Sequence, residues 1–145
     1  MRAGLLVLTG WLLILSSASC MARDEPKYFI RLYSDICFHS ESGDLLGTRI
    51  IVLRFRDGDY VYFQPAEGMP ISPAATKASI ADNATDFEFH IVEPNSPSVD
   101  FKGKLTDQFL TGRIEYDDRA GKKWLGDPMQ LPRIDNPQDG FPNCK

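Results

Sequence analysis

The stretch Asp86-Phe-Glu-Phe-His-Ile-Val92 decides the fold, with the two runs that follow it, Val99-Asp-Phe-Lys-Gly-Lys-Leu105 and Phe109-Leu-Thr-Gly-Arg-Ile-Glu-Tyr116. Phe87, Phe89 and Ile91 alternate with Glu88 and His90. Val99, Phe101, Gly103 and Leu105 alternate with Asp100, Lys102 and Lys104. Leu110, Gly112, Ile114 and Tyr116 alternate with Thr111, Arg113 and Glu115. A period of two places one set of side chains on a buried face and the other in water. Three such runs joined by short polar turns make an antiparallel meander.

Working outward, Asp57-Gly58-Asp59 between two β-rich runs reads as a tight hairpin turn, with Gly58 supplying the positive φ. It joins a long strand, Leu45 to Arg56, to a return strand, Tyr60 to Gln64. In the long strand Ile51, Leu53 and Phe55 share one face and Ile50 and Val52 the other. Tyr28 to Phe38 is the first strand. Its aromatics occupy both parities, so it is buried on two sides, bent, or covered by the tail. Pro65 to Pro73 reads as loop. Residues 74–81 are open between one short helix, capped by Ser72 with Pro73 at its first position, and a strand. Lys123 to Leu131 is the last strand, interrupted by Pro128, and residues 132–145 form an irregular tail.

The fold class is therefore all-β: an antiparallel meander forming a small barrel, with a two-sheet sandwich as runner-up and at most one short helix. Gly103 and Gly112 fall on the inward face. Either large neighbours fill the gap they leave or a small ligand does, and close packing favours a filled core.

Residues 1–22 read as a signal peptide. Arg2 supplies the positive start, Leu5 to Leu15 is apolar, and small residues follow at 16–19. The apolar run is shorter than the ~20 residues a membrane-spanning helix needs. Ser17-Ala18-Ser19-Cys20 resembles a relaxed bacterial lipobox, in which Cys20 becomes a lipidated first residue, although Ser17 stands where a large aliphatic is usual. Cleavage after Ala18 or Ala22 is the alternative. The β domain then spans 23–131. Export means an oxidising compartment, periplasm or a lipid-anchored outer-membrane site in a bacterium and the secreted space otherwise. There the remaining Cys37 and Cys144 are the disulfide candidates.

The formal net charge is −4, and removal of Arg2 makes the domain one unit more acidic. An acidic domain without a basic cluster argues against nucleic acid, and against a membrane except through a lipid on Cys20. No nucleophile motif is present. His39 and His90 lack the spacing of a metal site, and His90, out of phase with the phenylalanines, should face water. Asp57, Asp59, Asp117 and Asp118 read as turn residues. Asn83-Ala84-Thr85 is a formal sequon, expected to stay unmodified. No cofactor, metal or catalytic residue is expected.

Phe101-x-Gly103-x-Leu105, a polar turn, and Leu110-x-Gly112-x-Ile114 resemble the strand pattern of small exported bacterial barrels of lipocalin-like or avidin-like type. The resemblance covers about thirty residues and implies the architecture alone. The Gly-x-Trp of true lipocalins is absent near the first strand. Nine phenylalanines and five tyrosines in one small domain suit a β core and also a lined pocket or contact patch. The expected function is a non-catalytic envelope protein binding a small apolar ligand or a partner protein. The alternative is a small hydrolase whose site only a structure would reveal.

Overall fold

The computed structural model describes residues 28–70, 72–81, 85–92, 94, 96–118, 120–136 and 140–145. The signal-peptide and lipidation readings at 1–22, and Asn83 of the sequon, lie outside them. Among the described residues there is no helix. Ten strands run β1 Phe29–Ser34, β2 Cys37–His39, β3 Asp44–Phe55, β4 Gly58–Pro70, β5 Ala74–Ile80, β6 Asp86–Ile91, β7 Ser98–Leu105, β8 Phe109–Asp117, β9 Lys123–Leu125 and β10 Met129–Pro132. They form one sheet in the order β1-β3-β4-β5-β6-β7-β8-β10, with β2 beside β3 and β9 beside β8. Every pairing is antiparallel.

The meander lies where its alternation puts it. Phe87, Phe89 and Ile91 are buried while Asp86, Glu88 and His90 are exposed. Register sets Phe89 opposite Phe101, and Phe101 opposite Ile114. These residues join Tyr33, Ile50, Val52, Val61, Phe63 and Leu131 in a single apolar core. Gly103 faces Gly112 across β7 and β8. A Cβ on either would strike the Phe101 ring and the facing backbone, so Phe101 fills the space the two glycines leave.

The remainder departs from the sequence reading in identifiable ways. The expected barrel is not closed: the ladder path ends at β1 and β10. Between those edges, in place of a continuous ladder, stand an isolated bridge between Tyr33 and Arg133 and the Ile134 amide donating to the Leu32 carbonyl at 2.8 Å. The open choice at 74–81 resolves as strand. Despite its alanines, β5 pairs on one side with β4 and on the other with β6, and that pairing overrides local preference.

The expected loop at 65–73 is strand as far as Pro70. β4 stays paired with β3 through Leu45 opposite Gly68, whereas its pairing with β5 covers only Asp59–Phe63. Pro65 thus sits where β4 has become an edge strand, the place a sheet tolerates proline.

The first strand breaks between β1 and β2. There the Asp35 carboxylate accepts from the Thr48 amide at 2.6 Å and the Asp35 amide donates to the Thr48 carbonyl at 3.1 Å. Gly47, at φ +119°, makes room: a Cβ there would lie within 3 Å of Asp35. The last strand divides at Gly126–Pro128 into β9 and β10, which both pair with β8. The tail is tied down at its end. Cys37 and Cys144 form a disulfide with Cα atoms 4.9 Å apart, and Phe38 makes a parallel bridge to Asn143.

Candidate functional site

At one end of the sheet the inward face does not fill. Phe63 and Ile91 form part of the floor of a recess of about 490 Å³, with Val99 from β7 beside them. All three belong to the core. Ring contacts continue beneath: Phe63 lies 5.8 Å from Phe89, which stacks on Phe101 at 5.1 Å. The recess therefore begins where the packed phenylalanine column stops.

Its walls follow from the extended β4 and from β9. Positions 63, 65 and 67 share the inward parity of β4, so continuation of the strand past Phe63 brings Pro65 and then Glu67 to the recess. Ala74, at the start of β5, leaves the volume that a larger side chain would occupy. On the far wall Tyr116 of β8 pairs with Trp124 of β9, their rings stacked at 5.3 Å and 14°. Ser72 and Ser96 stand exposed at the rim.

Burial, and then the negative charge of Glu67, push the Tyr116 phenol up, so it remains a neutral hydroxyl. Beside Tyr116, Glu67 is the one ionisable group among the described lining residues. The arrangement can hold an apolar body against rings and address one polar group at its mouth.

The other sequence-singled residues lie apart from it. Cys37 and Cys144 are joined at the tail, and Cys20 is outside the described residues. His90 is exposed, as its parity implies, and its Nδ1 lies 2.8 Å from Asp100 across β6 and β7. His39 Nδ1 contacts the Ser42 hydroxyl at 3.1 Å in its turn. Asp59 meets Arg54 at 3.3 Å, and the Asp118 carboxylate accepts from the Ala120 and Lys122 amides. Among the described residues no three of His, Cys, Asp and Glu gather as a metal site would require.

Sequence reasoning placed Tyr116 on the alternating face of its strand without marking it as a site residue, and it lost Glu67 and Ser72 to a supposed loop. The signal for Glu67 was the uninterrupted period of two from Val61 through Phe63 and Pro65. No protein-family model, no curated protein and no solved structure matches this chain.

Proposed function

We propose that the domain is an exported, non-catalytic binding protein whose sheet wraps nearly to a barrel and holds a small apolar ligand in the recess beside Tyr116 and Trp124. The observation that carries this reading is the recess itself: about 490 Å³ continuous with the core and walled largely by apolar and aromatic side chains. That is the size and lining of small-molecule sites in general. The Cys37–Cys144 disulfide is compatible with an oxidising compartment and so with export. The hydrolase alternative needs a nucleophile and a base convergent on one point. Glu67 and Tyr116 are a carboxylate and an unreactive neutral phenol, with no histidine between them among the described residues.

The test uses phenylnaphthylamine, a neutral apolar fluorophore. The parent should bind it saturably. Ser72→Trp, at the exposed rim, and Ala74→Phe, inside, should each abolish binding with a melting temperature close to the parent's. Absence of binding by the parent removes the reading and leaves an envelope partner protein as the occupant to seek.

A further inference from the structure

We propose that the recess selects apolar ligands carrying a cationic head group, an ammonium on an aliphatic or aromatic body, over fatty acids and other apolar anions. The inference rests on the ligand-binding reading above and adds the charge of the ligand to it. Three observations converge. Glu67 lines the recess, and among the described lining residues there is no lysine, arginine or histidine to receive a carboxylate. The facing wall is a stacked Tyr116–Trp124 pair, and Trp is the best of the ring faces for an ammonium. The negative charge of Glu67 is felt inside the recess, since it helps hold the Tyr116 phenol neutral.

Nearby charges reinforce the sign. A shallow depression that shares Ser96 with the recess is lined by Asp118, by His90 and by Asp117, the last of these paired with Lys123. The closest cation of the β9 wall, Lys123, is held by Glu115 at 2.9 Å and Asp117 at 3.6 Å, so its charge is matched by two carboxylates. A carboxylate ligand would therefore enter past Glu67 without a counter-ion. An ammonium would pair with Glu67 and lie against the rings, the combination by which aromatic cages hold quaternary amines. The apolar body would rest on Phe63, Ile91 and Val99.

Three ligands of one chain length separate the contributions: decyltrimethylammonium, decanol and decanoate, the two ions below their micelle-forming concentrations and the alcohol below its solubility limit. Each competes with phenylnaphthylamine for the full chain at neutral pH. The expected order is ammonium, alcohol, carboxylate. About ten-fold should separate the first from the last, less than a buried pair would give because Glu67 is exposed. Glu67→Gln, an exposed and nearly isosteric change, should compress the series to within about three-fold. Equal affinities for the three, tighter binding of decanoate, or an order that survives Glu67→Gln would overturn the charge selection and leave the apolar site standing. Failure of the parent to bind phenylnaphthylamine would overturn the site and the selection together.

Discussion

The Phe101 ring lies over two facing glycines, and this contact sets the packing limit of the core. At Gly112 an added Cβ would meet the ring, the Lys102 carbonyl oxygen and the Gly103 Cα, all closer than 3 Å. Rings can turn, but the two backbone neighbours belong to the ladder and cannot move without breaking pairing. Gly112→Val should therefore cost more than the usual ~1–3 kcal/mol of an overpacked core. Urea denaturation should show it as a large fall in midpoint, or as a chain that no longer folds. Alternation in β6 to β8 made this face legible in advance, and the filling of the glycine gap by a large neighbour agrees with the expectation of a packed core. The recess was not legible. Its floor residues, Phe63, Ile91 and Val99, have the same parity as fully packed neighbours, and nothing local says where the phenylalanine column ends.

Among the elements, β2 depends most on a partner distant in sequence. Three residues long, it pairs with β3 on one side, and on the other it receives the tail. The Phe38 amide donates to the Pro142 carbonyl at 2.7 Å and the Cys144 amide to the Phe38 carbonyl at 2.9 Å. The disulfide closes a sequence separation of 107 residues. Chain-entropy arguments give about 4–5 kcal/mol for such a loop, an upper figure. Cys144→Ser should lower stability by a few kcal/mol in denaturant titration. It should also raise hydrogen exchange at the Phe38 and Cys144 amides, with the β6–β8 amides still protected. The pairing was legible from cysteine number and the expectation of export. Other elements were less so, for physical reasons. Pro65 reads as a breaker unless its strand is known to have lost its second partner by that point. The alanines of β5 suit a helix until flanking strands claim their backbone groups. In β3 both faces are apolar, with Ile50 and Val52 buried and Phe55 43% exposed on the outer side, so parity alone could not say which face turns inward.

Over the whole molecule, the two free edges of the sheet meet around Tyr33. Its side chain is fully buried, its hydroxyl donates to the Thr106 carbonyl at 2.6 Å, and its backbone bridges Arg133. Arg31 of the same strand reaches Asp107 at 2.7 Å. Burial pushes the Tyr33 phenol up, against the pull of Arg31, and burial pushes up Tyr116 as well. The native state then holds these protons more tightly than the unfolded chain, whose phenols titrate near pH 10. The stabilisation is complete below about pH 10 and is lost as pH rises through the two higher native values. Urea midpoints should be flat toward neutrality and fall steeply in alkali. Tyr33→Phe should lower the neutral midpoint, through the unpaired Thr106 carbonyl, and flatten the alkaline limb. The covalent link between Cys37 and Cys144 also governs how the molecule carries tension. A pull applied between Tyr28 and Lys145 runs along β1 to Cys37, crosses the sulfur atoms and leaves through Cys144. All strands from β3 to β10 lie in the bypassed loop, mechanically slack. The oxidised molecule could lengthen under load only by peeling β1 from its neighbours, while the reduced one would offer its entire sheet to the force.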